Sequence, residues 1–247
     1  MKILIYSAHC DDMETGMGGT AKLLKNAGHE IISIVTTLPP RDKRYEGFDE
    51  DAITTRKRES RKAHKYLGID PQFLQDISEE LNFPVTLGER EFFKKLFEKI
   101  KPDVVFTQWP VDVNPDHRSL GILSMEACLQ KGVNTELFFY EVFSEPGRPQ
   151  SLGFYPTHYV DIESVLGVKE SMVKCHKSQS ILLWKTNIQM QSFRSNEIRK
   201  AVNVEAFIRI TRWGDLRPEL ESMFQSTPLF LPSGTGIQVD PIAIGLM

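Results

Sequence analysis

The stretch Ser7-Ala8-His9-Cys10-Asp11-Asp12-Met13-Glu14-Thr15-Gly16-Met17-Gly18-Gly19-Thr20 decides how the rest of the chain is read. It follows a short apolar run, Lys2 to Tyr6, rich in residues that favour a buried parallel strand. It precedes a segment, Thr20 to Ala27, in which Ala21, Leu23, Leu24 and Ala27 fall at helical spacing. A strand that feeds a helix through a polar turn puts that turn at the carboxyl end of a sheet, where open α/β folds hold their ligands. The turn crowds one imidazole and two adjacent carboxylates into four residues, with no basic side chain to neutralise them. Such crowding is costly unless water or a cation compensates it, and a divalent metal is the simplest compensation. His9 and Asp12 are three apart, so a tight turn can aim both at one ion. Asp11 then points elsewhere, free to take a proton from a water. Zinc accepts imidazole nitrogen and carboxylate oxygen, and its catalytic sites use three protein ligands. The third must come from far along the chain. The candidate segment is Asn114-Pro115-Asp116-His117, which follows a second strand-like run, Asp103-Val104-Val105-Phe106-Thr107.

Working outward, strand and helix signals alternate through the first half. Glu30 to Thr37 reads as a strand entered through Gly28, a helix C-cap. Leu38 to Asp51, with Pro39-Pro40 and many charges, reads as a long exposed loop of the kind that often forms a lid. Ile53 to Tyr66 is a helix ending at Gly68, and Phe73 to Asp76 a short strand. Gly88 to Ile100 is a helix with Phe92, Phe93, Leu96, Phe97 and Ile100 on its apolar side. His117 to Gln130 is a helix stopped by Gly132, Leu137 to Phe143 a strand, and Ser144 to Thr157 a loop. His158 to Ile162 reads as an edge strand and Glu163 to Lys177 as a helix. Beyond Ile181 the pattern degrades. Asn196 to Val202 and Pro218 to Phe224 have helical character, and Ala206 to Thr211 strand character. These alternations predict an α/β, Rossmann-like layered fold with a mostly parallel sheet flanked by helices. The metal site is expected at the carboxyl ends of the strands. The whole chain, 1–247, is expected to be one domain, with an apolar Pro/Gly-rich tail, about 227–247, that is extended or packs on a neighbouring subunit.

The chain has 247 residues and a formal net charge of −3, which gives no electrostatic reason to expect nucleic acid or an anionic membrane as a partner. Three widely spaced cysteines, Cys10, Cys128 and Cys175, form no CxxC pair or disulfide framework and favour a reducing compartment. The apolar start is too short for a signal-peptide core before Asp11 and Asp12 interrupt it, so a cytoplasmic location is expected.

Two motifs in order carry a resemblance. Ala8-His9-Cys10-Asp11-Asp12-Met13 and Asn114-Pro115-Asp116-His117 resemble the Ala-His-Pro-Asp-Asp-Glu and His-Pro-Asp-His motifs of the PIG-L/LmbE-like zinc N-deacetylases. Gly18-Gly19-Thr20, Arg56-x-x-Glu59-x-x-x-Ala63-x-x-x-Leu67-Gly68, His176-Lys177-Ser178-Gln179 and Glu205-Ala206-Phe207 resemble further family signatures. The resemblance implies a zinc-dependent hydrolase that removes an N-acetyl group from an N-acetylglucosamine-type sugar or conjugate. It implies metal ligands His9, Asp12 and His117, a general base at Asp11, and substrate contact by Arg56. It implies that Asp116 orients a neighbouring polar group, here Asn114, which can donate to an oxyanion but cannot deliver a proton. Zinc is the expected ion, and other divalent transition metals suit the same donors. The expected partner is a small acylated sugar, with self-association into a homo-oligomer left open.

Two departures from the family pattern matter. Met13 stands where the family has glutamate, which removes an acceptor near the ligands, and Asn114 stands where it has histidine. Both spare the ligands and the base, so catalysis is expected to survive, slowed or tuned to another substrate. The competing readings are a metal-containing, catalytically impaired sugar-binding homologue and an ordinary nucleotide-binding module. The glycines at 16, 18 and 19 have the wrong spacing for a dinucleotide turn, and the carboxylates before them would repel a pyrophosphate. His29, His64, His158 and His176 have no ligand partner at helical spacing and read as structural or surface residues. Cys10 occupies a proline position and is expected not to bind metal. Trp109 could stack on a sugar or pack.

Overall fold

The computed structural model describes residues 1–130, 133–142, 153–179, 182–200, 202–210 and 229–230. Five parallel strands stand in the order β3-β2-β1-β4-β5, and three antiparallel strands, β7-β6-β8, extend the sheet beyond β5. They are β1 Lys2–Ser7, β2 Glu30–Leu38, β3 Gln72–Glu79, β4 Val104–Gln108, β5 Glu136–Tyr140, β6 His158–Asp161, β7 Val204–Arg209 and β8 Leu229–Phe230. The helices are α1 Asp12–Asn26, α2 Ala52–His64, α3 Leu87–Ile100, α4 Pro115–Cys128, α5 Leu166–Val173 and α6 Leu182–Glu197. Strand β1 explains the two layers. Ile3 and Ile5 enter one apolar core with Met13, Met17 and Leu24 of α1, while Leu4 and Tyr6 enter the other with Phe93 and Phe97 of α3 and Leu120 of α4. A strand covered on both faces is apolar throughout, as this one is. The strand order reverses at β1, between β2 and β4, and this opens a crevice at the carboxyl ends of β1 and β4. Both motif loops lie there.

Several elements differ from their sequence reading. Helix α1 begins at Asp12 rather than Thr20, so the glycines lie inside a helix instead of a turn. They are there for approach: a Cβ on Gly16 would stand 2.4 Å from the Tyr140 ring, and one on Gly19 would stand 2.7 Å from Ile162. The helix pays no heed to regularity at Met17 (φ −146°, ψ 21°). Past that kink, the Gly19 and Thr20 N–H groups donate to the two oxygens of Glu205, at 2.9 and 2.7 Å. Glu205 thus caps a restarted helix, and buried Lys169 balances its charge at 2.6 Å. Strand β3 is longer than expected, α5 is shorter and preceded by a 3-10 turn, and β7 lies two residues earlier. Helix α6 stands largely ahead of the helix expected over Asn196 to Val202 and shares with it only Asn196 and Glu197. The proposed helix Pro218 to Phe224 lies outside the described residues, as does all of the tail except 229–230. Among the described residues no helix is long and apolar enough to cross a membrane.

Candidate active site

The β1–α1 turn and the start of α4 bring together His9, Asp12 and His117, with one donor atom from each within 4.8 Å of the others. Local structure explains each placement. The Asp12 carboxylate folds back to accept the His9 backbone N–H at 2.6 Å, and Gln108, at the end of β4, donates to the same oxygen at 2.7 Å. His117 sits in the first turn of α4, which opens with Pro115 and is capped by Asn114, whose Oδ1 accepts the Asp116 N–H at 2.9 Å. His117 Nε2 then lies 3.1 Å from His9 Nδ1 and 3.3 Å from Asp12 Oδ1.

The outward nitrogens complete the arrangement. His9 Nε2 lies 3.0 Å from Asp116 Oδ2, and His117 Nδ1 faces Asp112 Oδ2 at 3.2 Å in an ionic contact. Metal-binding imidazoles are typically held this way, with a carboxylate behind the ring and a free nitrogen in front. Burial works against charge on His9, but Asp12 and Asp116 outweigh it and lift its pKa well above 6.5. Burial also opposes charge on His117, and Asp12 and Asp112 raise it to about 9. Asp12 is pushed up by burial yet driven well below the usual carboxylate range by the two imidazoles. The cluster draws positive charge to one point, and its donor set suits zinc.

Beside it lies a cavity of about 250 Å³ whose walls include Asp11, Thr15, Arg56, Glu80, Leu81, Asn114, Val142 and Gln179. Asp11 is not unpaired, as the sequence suggested. Its Oδ1 accepts from Arg56 Nη2 at 2.8 Å, and Arg56 is only 2% exposed. Among the described residues Arg56 Nε and Nη1 are buried without a hydrogen-bond partner. Asp116 is likewise not directed at Asn114. Its carboxylate takes His9 Nε2 together with the Leu81 N–H (2.5 Å) and the Phe83 N–H (3.1 Å). Burial pushes the Asp116 carboxyl up, and these hydrogen bonds bring it below its ordinary range. Asp112 and Gln108 escaped the sequence reading, although Asp112 stands just two residues before the second motif.

Other residues resolve into packing. Cys10 is buried, its thiol is pushed up by burial, and it is outside the converging donors. Trp109 packs edge-on against Phe139 and Phe154 at 5.4 and 5.8 Å. Met13 is fully buried in the core. Glu14, next to it, is buried between His64 and His176, which are therefore not surface residues.

Two imidazoles and a carboxylate thus meet at the switch point of an α/β sheet, beside a further carboxylate, a donor set of the kind that holds a divalent metal. The chain belongs to the PIG-L family, described as GlcNAc-PI de-N-acetylase, which it matches over residues 4–128. It is 29% identical over 189 residues to the diacetylchitobiose deacetylase of Thermococcus kodakarensis, covering 72% of this chain and 70% of that one. Its fold is similar to that of N,N'-diacetylchitobiose deacetylase from Pyrococcus horikoshii in complex with the inhibitor MPG. That likeness has a TM-score of 0.66 at 22% identity, covering 85% of this chain and 83% of that one. It is also similar in fold to GalB, the 4-carboxy-2-hydroxymuconate hydratase of Pseudomonas putida KT2440, with a TM-score of 0.69 at 19% identity. The coverage there is 87% of this chain and 98% of that one. These two likenesses speak for the fold alone.

Proposed function

We propose that this protein is a zinc-dependent N-deacetylase that hydrolyses the acetamide of an N-acetylglucosamine-type sugar or sugar conjugate. The observation that carries it is the convergence of His9 Nδ1, His117 Nε2 and Asp12 beside the carboxylate of Asp11. In this reading His9, Asp12 and His117 hold the ion. A bound zinc supplies a Lewis acid for the acetyl oxygen and lowers the pKa of a water from about 15.7 towards about 7. Asp11 takes the proton of the attacking water, whose oxygen adds to the acetyl carbon. Asn114 has spent its carbonyl on the Asp116 N–H, so its amide donors remain for the developing oxyanion. The C–N bond then breaks, and Asp11 returns its proton to the leaving nitrogen, giving acetate and a free amine. Arg56 orients Asp11 and contacts the substrate from the cavity wall. Asp116 positions His9.

The family membership and the deacetylase relatives support the reaction class. Cys10, Cys128 and Cys175 are buried and form no disulfide among the described residues, which supports a reducing, cytoplasmic setting, and the continuous eight-stranded sheet supports a single catalytic unit spanning the chain. The test is Asp11→Asn in zinc-loaded protein, with free-amine release from N-acetylglucosamine and diacetylchitobiose as the readout. The amide is nearly isosteric but cannot accept the proton, so metal content should hold while kcat falls about 10²–10⁴-fold. Equal turnover by mutant and parent would remove Asp11 from the mechanism. A parent protein that binds the sugars and releases no amine would leave the impaired, sugar-binding homologue as the better reading.

A further inference from the structure

Helix α2 presents Arg56 and, three residues on, Glu59 along neighbouring positions of one face. Arg56 reaches Asp11. Glu59, 2% exposed, reaches in a different direction and accepts two hydrogen bonds from Ser178, the backbone N–H at 2.9 Å and the hydroxyl at 2.6 Å. A buried carboxylate is costly unless such donors meet it, so this contact locks the turn after α5 to α2. The same turn is held at His176, whose Nε2 lies 3.4 Å from Glu14 of α1, and the Gln179 N–H donates to the His176 carbonyl at 3.1 Å. All of this anchoring fixes one side chain that enters the cavity, Gln179.

The network also decides which way the Gln179 amide faces. A carboxylate only accepts, so the Ser178 hydroxyl must spend its proton on Glu59. Ser178 Oγ therefore meets Gln179 as an acceptor, and the 3.1 Å contact is made by Nε2. One N–H and the carbonyl oxygen of Gln179 remain to face other groups. Gln179 is thus polar, oriented, and set in the cavity wall beside the proposed reaction centre, with a role in neither metal binding nor proton transfer.

We propose that Gln179 reads a hydroxyl of the sugar, and that Glu59, acting through Ser178, is the positioning residue that sets which end of the amide the sugar meets. The inference rests on the sugar deacetylase reading and adds to it a residue that selects among sugars. It is tested on the full zinc-loaded chain with N-acetylglucosamine and its 3-, 4- and 6-deoxy analogues, comparing the parent with Gln179→Ala, Ser178→Ala and Glu59→Gln. Gln179→Ala should raise KM about tenfold on the complete sugar, the size of one lost hydrogen bond, with kcat little changed. On one deoxy analogue the parent should already show the higher KM, and the mutation should add nothing further. Glu59→Gln can donate back to Ser178 and reverse the hydroxyl, so its KM penalty should fall on the same hydroxyl. Ser178→Ala gives an independent measure if Glu59→Gln folds poorly.

Saturation-transfer NMR of the same sugars with metal-free protein supplies a readout that needs no turnover. The proposal is overturned if the penalty is spread evenly over all analogues, or if Gln179→Ala leaves every KM and every NMR ranking unchanged. If the parent releases no amine from any acyl sugar, the deacetylase reading fails by itself. The NMR ranking then decides this inference alone: a hydroxyl-specific loss in Gln179→Ala upholds it, and a flat ranking rejects it.

Discussion

Two buried clusters in this chain are made of the same parts and do different work. One is His9, His117 and Asp12; the other is His64, His176 and Glu14. Each has two imidazoles around one carboxylate, and His117, His64 and Glu14 are all 1% exposed. In the first, Asp116 and Asp112 stand behind the rings, and the forward nitrogens meet 3.1 Å apart beside the cavity. In the second, His64 places Nδ1 2.9 Å from the Ser60 carbonyl and Nε2 2.8 Å from the Ser33 hydroxyl. There a single Glu14 oxygen meets both rings, at 3.2 and 3.4 Å, and none of the three residues lines the cavity. The first cluster thus differs from the second in the carboxylate behind each ring and in the open cavity beside it. The second cluster ties α1 to α2 and to the turn after α5.

The comparison breaks most readily at the metal. His117→Ala should bring bound zinc to background and abolish amine release, whereas His176→Ala should leave zinc content unchanged. Metal analysis of the purified proteins measures both, and zinc lost from His176→Ala with the fold intact would show that the clusters are not separate. Next in size is Glu14→Gln. Removing one partner from a buried charged cluster costs about 3–5 kcal/mol, so the denaturant midpoint should drop strongly while zinc content holds. The pH dependence has a definite sign. Burial pushes the Glu14 carboxyl up, but His64 and His176 outweigh it and bring it to about 2, from an ordinary 4.5. Its contribution is fully present above about 4.5 and is lost as pH falls towards 2. The mutant should lack that portion of the acid limb, and an unaltered limb would assign the shift to other groups.

The contrast sharpens at Asp112, which distinguishes a ligand held from behind from one merely buried. Asp112→Asn should weaken zinc binding about 10–100-fold without removing any ligand. Competition with a chromophoric chelator reads this directly. An unchanged affinity would mean that the 3.2 Å ionic contact does not tune His117.

The sequence made the first cluster legible because its residues are concentrated in two short loops after apolar strands. The strand order then brings those loops together, as alternating elements predict. The supporting carboxylates were harder to see. Asp116 was visible but misdirected: nothing in its spacing says that the chain at Leu81 and Phe83 would fold over it and turn it towards His9. Asp112 had only its nearness to the motif. The second cluster was illegible, because Glu14, His64 and His176 are at least 50 residues apart and lie on α1, on α2 and in the turn after α5. Helix α1 was read short because glycine usually breaks a helix; here close packing on Tyr140 and Ile162 outweighs that preference. The Glu205 signature became intelligible only as the cap of the restarted helix.

The smallest expected effect concerns Asn114. From sequence alone, restoring the histidine of the family pattern promises about a tenfold gain in kcat on a simple N-acetylglucosamine substrate, with Asp116 orienting the new ring, unless Asn114 is an adaptation to a different substrate. The structure removes both supports. Asp116 already serves His9 and two backbone N–H groups, so it is not available to a ring at position 114. Asn114 itself caps α4 through Oδ1, and asparagine is among the preferred residues there. Its replacement should cost about 1 kcal/mol of stability at the helix that carries His117. Asn114→His should therefore lower the denaturant midpoint slightly and give no gain in kcat. Asn114→Asp separates the two roles, since aspartate keeps the cap but presents no donor to the oxyanion. It should hold the midpoint while kcat falls. A tenfold rise in kcat for Asn114→His would show that an imidazole here finds a partner of its own, and that the asparagine is a lost histidine rather than a cap with a second duty.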